Sequence, residues 1–326
     1  MKRLRIIIEP RTAFGGPMRG DTLFGQICWA VRHRWGEGRL AELLTGYTED
    51  RPFLVVSDAF PHHFIPRPSL PMHCYNQVPG ADRKRVKKRV WLPLDQFQAP
   101  LSDWLAHCRT EKEVARAQAD RQALDSAHGL WESRAQPHNT LNRLTGTTGT
   151  GEFAPYGMPQ LWSAPGLKLD LYCCFNPDRI DRETIIQLLK DIGAAGYGRD
   201  VSIGLGKFEV IDKIDGPWPS QERANAWLTL SPCAPQGEEF APEASFYQPF
   251  VRFGRHGDVA VHLTGRPFKN PVLMADSGAL LTPKNWHSTV FVGQGLGGNG
   301  QLSKTIPTTV QQGYAPALPV FLEVQA

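Results

Sequence analysis

The stretch that most constrains this chain is Gly193 to Val210, GAAGYGRDVSIGLGKFEV, set between a helix-like run and a strand-like run. Gly193, Gly196, Gly198, Gly204 and Gly206 are interleaved there with Arg199, Ser202 and Lys207. Glycine admits positive φ and lets backbone amides come close to a ligand. Amides pointing one way make a concave anion site, which a neighbouring Arg or Lys reinforces. The loop therefore reads as a cradle for a phosphate backbone. Two named loops are excluded by the letters. A Walker loop needs glycine five residues before its Gly-Lys pair and Ser or Thr after it, where Val201 and Phe208 stand. A dinucleotide fingerprint starting at Gly196 wants a glycine at Val201 and strand-to-helix order, and it finds neither. A plain flexible connection is the competing reading, and only the rest of the chain decides between them.

Alternation at Leu4, Ile6 and Ile8 predicts a first strand. Asp21 precedes an apolar stripe of Leu23, Phe24, Ile27, Val31 and Trp35, which predicts a capped helix ending at Gly36. A short second helix carries Leu40, Leu43 and Leu44, and a second strand starts with Phe53 to Val56. The pattern then breaks from about 62 to 165, a long insertion. It holds the basic run Arg83 to Arg89, a polar, partly helical stretch from Trp104 to Leu130, and the Thr- and Gly-rich HNTLNRLTGTTGTGEF. Alternation resumes at Leu167, Leu169, Leu171 and Cys173. Asp181 then caps a helix with Ile185, Leu188, Leu189 and Ile192 on one face, and a strand follows the glycine loop from Lys207 to Lys213. The order βαββαβ is the ferredoxin-like plan, shared by RNA-recognition domains, although their RNP1 aromatic signature is absent here.

Past Gly216, prolines punctuate short β-like runs at Trp227 to Leu230, Val259 to Leu263, Thr289 to Val292 and Leu318 to Val324. Two domains are expected, an α+β one at 1–215 with its insertion and a β-rich one at 216–326. Gly293, Gly295 and Gly298 fit G-x-G-x-x-G, but no amphipathic helix follows and no acid appears until Glu323. That rules out a dinucleotide site and leaves a second glycine-rich contact loop. A hydrophobic content of 41% across 326 residues suits globular domains of this size, and a net charge of +4 permits a polyanionic partner. No apolar run reaches membrane-spanning length, and Glu9 and Arg11 break the N-terminal run before a signal-peptide core can form. Six cysteines without a C-x-x-C pair point to reduced thiols and a cytoplasmic setting. His62, His63, His73 and Cys74 match no zinc spacing, so neither metal nor cofactor is expected.

Gly20-Asp21-Thr22-Leu23-Phe24-Gly25, Ser57-Asp58-Ala59-Phe60-Pro61 and the loop pattern G-Y-G-x-D-x-S-x-G-L-G-K-F resemble RAMP proteins of CRISPR effector complexes. The similarity is greatest to the type III-A (Csm) subunit that caps the 5′ end of the guide RNA. It extends through Pro66-Arg67-Pro68, His138-Asn139 with Asn142-Arg143, Phe268-Lys269 to Ser277-Gly278, Gly295 to Gly298 and Gln312 to Ala315. Gly16 and Met18 depart from the Thr and Leu of the family pattern. The resemblance implies two ferredoxin-like (RRM-like, RAMP) domains. It further implies a non-catalytic subunit in antiviral and antiplasmid defence that grips the repeat-derived 5′ handle of crRNA. The partners it implies are a large polymerase-like signalling subunit and a backbone RAMP subunit, with target RNA met indirectly. By the same resemblance the insertion supplies a β-hairpin thumb.

The expected RNA contacts are the loop residues Gly196, Gly198, Arg199, Ser202, Gly204, Gly206 and Lys207, joined by Arg19 at the first strand-to-helix junction. A surface arginine beside Asp21 is the plainer alternative for Arg19. His138, Asn139, Asn142 and Arg143 can hydrogen-bond an unstacked base or its sugar, or form a solvated loop. The competing function is a metal-independent endoribonuclease that processes precursor crRNA, with His33 and His138 as acid and base.

Overall fold

The computed structural model describes residues 1–76, 82–119, 129–235, 239–262 and 267–323. Strand β1 (Lys2–Pro10) leads into helix α1 (Gly20–Leu44), which Gly36 interrupts at φ 85°. The two helices expected there are thus joined end to end. Leu23, Phe24, Ile27 and Val31 are buried along one side, as their spacing requires. Strands β2 (Leu54–Val56) and β3 (Phe60–Pro61) follow.

The insertion supplies β4 (Phe64–Pro66), α2 (Arg83–Lys87), β5 (Arg89–Pro93), α3 (Trp104–His107), β6 (Arg109–Thr110) and α4 (Glu111–Ala119). Strands β4, β5 and β6 make a small antiparallel sheet. The basic run, read from its charge as a solvated loop, is largely helix α2. Asp82 caps it by accepting from the Lys84 N–H. The side chain of Arg83 and residues 120–128 of the polar stretch lie outside the described residues. The insertion closes with a long hairpin, β7 (Trp131–His138) and β8 (Tyr156–Ser163).

Strand β9 (Leu169–Phe175), helix α5 (Arg182–Ala195) and strand β10 (Phe208–Asp215) complete the first half. Asp181 caps α5, its carboxylate accepting from the Thr184 N–H at 2.7 Å. The antiparallel sheet runs β10-β1-β9-β2, with β3 also on β9. Every residue of β9 is buried, Cys173 and Cys174 included, so both faces of this strand are covered. The Cys174 Sγ reaches the Val290 carbonyl of the second half at 3.2 Å.

The second half contributes β11 (Ala226–Thr229), β12 (Pro249–Arg252), β13 (Val272–Ala275), β14 (Leu280–Leu281), β15 (Phe291–Gly297) and β16 (Val310–Val320). Four of these form a sheet in the order β14-β11-β16-β15, and β12 pairs with β13 in a separate ribbon. The described residues of this half form strands and short 3-10 turns, with no α-helix among them. The strand expected at Val259 to Leu263 is a 3-10 turn, Asp258–His262, and Leu263 lies outside the described residues. The glycine motif at Gly293 to Gly298 lies mainly in strand β15 rather than in a contact loop. A Cβ on Gly295 would sit 2.3 Å from the Tyr47 carbonyl oxygen, so the glycine lets this strand press against the turn after α1. One apolar core joins Leu4, Ile6 and Phe24 to Leu228, Tyr314 and Leu318. Gln312, fully buried, completes the junction. Its side-chain amide accepts from the Val56 N–H at 2.9 Å and donates to the Val56 carbonyl at 2.8 Å, acting as a strand partner for β2.

Candidate nucleic-acid interface

Pro10 at the end of β1 lies opposite Phe208, and Ile8 lies opposite Leu169. The segment 11–19, the close of the insertion and the glycine loop therefore emerge at one end of the sheet. Backbone hydrogen bonds staple them together. Arg11 donates to the Lys207 carbonyl at 2.8 Å, Gly206 donates to the Ala13 carbonyl at 2.8 Å, and Phe14 exchanges two 2.8 Å bonds with Leu161 of β8.

Within the loop Gly196, Gly198, Gly204 and Gly206 all take positive φ, as does Asp200 at 64°. A single 3-10 turn, Val201–Ile203, forms its tip. Tyr197 is the buried keystone. Its N–H donates to the Gly206 carbonyl at 2.8 Å, and its hydroxyl accepts from the Arg19 N–H at 2.8 Å. Burial pushes the Tyr197 phenol up, so the hydroxyl stays protonated. The Lys207 N–H donates to Thr12 Oγ1 at 3.0 Å. The amides of Tyr197, Gly204, Gly206 and Lys207 are thus spent inside the fold. Among the described residues, those of 198–202 have no acceptor. The donor set open to a ligand is narrower than the glycine spacing suggests, and it is centred on the tip. Ser202 and the Lys207 side chain are exposed beside it. Arg199 is 50% exposed, but its Nε donates to the Gly15 carbonyl at 2.5 Å and its Nη2 to the Pro159 carbonyl at 2.9 Å. It fastens the hairpin to the loop while keeping half its surface open.

The Arg19 side chain does not simply face a groove. Its Nη1 bridges Asp58 Oδ2 at 3.0 Å and Asp276 Oδ1 at 2.7 Å, and its guanidinium lies 5.3 Å from the centre of the Phe250 ring. Asp58, 5% exposed, also accepts from the Gly20 N–H at 2.8 Å. Burial pushes the Asp58 carboxyl up to about 7, against the pull of Arg19 and that N–H. The helix cap expected of Asp21 is corrected here. Arg19 holds the N-cap position, Asp58 supplies the carboxylate, and Asp21 is gripped by Arg252 Nε and Nη2 at 2.6 Å each. A buried carboxylate is stable only when paired, and Arg252 is the pair.

The polar cluster of the insertion lies along the hairpin. His138 ends β7 and stacks on Tyr156, with ring centres 5.6 Å apart. That pair sits three residues beyond Pro159, about 10 Å at ordinary strand rise. Asn139 and Arg143 are exposed in the tip loop, whereas the Asn142 side chain folds back to accept from the Leu144 N–H at 2.9 Å. Composition missed the half-exposed aromatics Tyr156 and Trp162, the latter under the Arg134 guanidinium at 5.9 Å. The segment carries no clean alternation, and Pro137 and Pro159 hide its strands. His33 pairs with Asp258 at 2.7 Å on the outside of α1, so it and His138 have separate partners. His62, raised above as a metal ligand, pairs with Asp170 at 2.8 Å.

No protein-family model and no curated protein matches this sequence. Solved structures do match. A chain in the crystal structure of the Csm3-Csm4 subcomplex of the type III-A CRISPR-Cas interference complex is 14% identical, with 98% of this chain and 100% of that one covered at a TM-score of 0.61. A chain of the Csm1-Csm4 cassette in complex with pppApA is 14% identical over the full length of both, at 0.58. The same cassette with AMPPNP gives 15% and 0.57. From end to end, then, this chain shares the α+β fold of the chains in these Csm3-Csm4 and Csm1-Csm4 structures.

Proposed function

We propose that this chain is a non-catalytic subunit of a type III-A RNA-guided effector complex. It holds the 5′ handle of crRNA and joins a large signalling subunit to a backbone RAMP subunit. The observation that carries the reading is the arrangement at one end of the sheet. Unspent amides at 198–202 stand beside Arg199, Ser202 and Lys207, and a projecting hairpin is fastened to the same loop. Amides and cations of that kind suit ribose-phosphate, and the hairpin's half-exposed Tyr156 and Trp162 offer stacking faces to unpaired bases. The two partners follow from the similar chains, which come from Csm1-Csm4 and Csm3-Csm4 assemblies. The second sheet reads as a reduced ferredoxin-like unit that begins near residue 216. Strands β11, β16 and β15 take the first, third and second places of that plan, and β14 fills the fourth.

The test is to mix the purified full chain with repeat-derived RNA and with a scrambled control, across a salt series. Salt-dependent binding that favours the repeat RNA, with the RNA intact, is the expected result. Cleavage that disappears in His138→Ala would instead establish the endoribonuclease. Absence of RNA binding would end the proposal.

A further inference from the structure

The geometry points to a crossed clasp: Arg19 and Arg252, each held by a carboxylate from the other half of the chain, position the glycine loop for RNA. The inference rests on the RNA-binding reading above and assigns to two arginines a positioning role in it. Arg19 from the first half reaches Asp276 of the second, while Arg252 of the second half grips Asp21 of the first. Both guanidiniums lie over one ring, Phe250 of β12, at 5.3 and 4.8 Å. Opposite Phe250 in the ribbon stands the buried Met274 of β13. The loop is wired to the same point, because the Arg19 N–H is the donor that holds the Tyr197 hydroxyl. Tyr197 in turn carries Gly206. A continuous chain of contacts thus runs from the β12–β13 ribbon through Arg19 and Tyr197 to the loop amides.

Asp21 is buried, so its pair with Arg252 cannot be broken cheaply, and losing one partner leaves a charge in the interior. The second half fixes where the loop stands through this pair and through Arg19–Asp276. None of the four side chains has to touch RNA for that.

The experiment uses the full chain, repeat-derived RNA and hydrogen exchange at the amides of 204–207. Arg252→Met keeps bulk over Phe250 and removes the charge; Arg252→Lys restores the charge. Asp276→Asn, at a partly exposed site, serves if Arg252→Met does not fold. Arg252→Met or Asp276→Asn should speed exchange at those amides. Either should weaken RNA binding about fivefold or more while leaving the salt slope unchanged. Arg252→Lys should recover most of both. Unchanged loop exchange in the folded variants overturns the clasp. So does a salt slope lowered by one contact, because the arginine would then be touching phosphate itself. If the parent chain binds no RNA, the functional reading fails alone, and the exchange data still decide the clasp.

Discussion

Gly206→Ala is the sharpest single perturbation of the loop. Gly206 has φ 78°, and a Cβ there would lie 2.1 Å from the Tyr197 carbonyl oxygen and 2.5 Å from its nitrogen. Both are backbone atoms of a buried residue, so neither can move aside without opening the loop. Placing an L-residue in the left-handed region costs about 1–2 kcal/mol. Relieving the clash sacrifices the bonds from Tyr197 N–H to the Gly206 carbonyl and from Gly206 N–H to the Ala13 carbonyl. Each is worth about 0.5–1.5 kcal/mol net, so the total comes to about 2–5 kcal/mol. Gly198→Ala supplies the control. Its φ is 86°, but nothing lies within 4 Å of the added Cβ, so only the conformational cost remains. The two variants should differ by about 1–3 kcal/mol in urea unfolding followed by tryptophan fluorescence, with equal m-values. Equal destabilisation of the two, or a neutral Gly206→Ala, would refute the keystone role given to Tyr197.

Arg199→Ala should weaken binding to RNA of any sequence and lower the log-log salt slope by about 0.7, the value of one single-strand phosphate contact. An unchanged slope would leave Arg199 only its fastening role on Gly15 and Pro159. Asp58, with its carboxyl raised to about 7, ionises later in the fold than in the unfolded chain. Its contribution to stability is therefore full below about pH 4 and is lost as pH rises to about 7. Asp58→Asn should flatten that part of the urea-midpoint profile, and a parallel profile would contradict the assignment. Arg179 donates to the carbonyls of Glu42, Leu43, Thr45 and Arg51 around the end of α1. Arg179→Ala should cost about 1–2 kcal/mol at this partly solvated site, seen as a lower urea midpoint with RNA binding retained. If the hairpin stacks bases, Tyr156→Ala should lose about 1–3 kcal/mol of affinity for single-stranded RNA.

Much of this architecture is legible in the amino-acid order. Periodicity at Leu4 to Ile8, the stripe from Leu23 to Val31, Gly36 as a helix break, and Asp181 as the cap of α5 are local effects of spacing and backbone preference, whereas Trp35, expected on the same stripe, is exposed. With β2 and β3 counted as one interrupted strand along β9, the βαββαβ order they spell is the order in which the first sheet is laid down. Glycine spacing likewise announced a loop with several positive φ values between α5 and β10. What the letters could not convey was long-range pairing. Asp21 has the composition of a cap, yet a carboxylate buried beside an arginine 231 residues away becomes an ion-pair partner. Gly295 has the spacing of a phosphate loop, yet the Tyr47 carbonyl pressed against it makes it part of a strand. Which loop amides are left for a ligand also depended on where Ala13 and Thr12 fold. Local propensity is written residue by residue, whereas the fate of a buried charge or an unpaired N–H depends on what the rest of the chain brings against it.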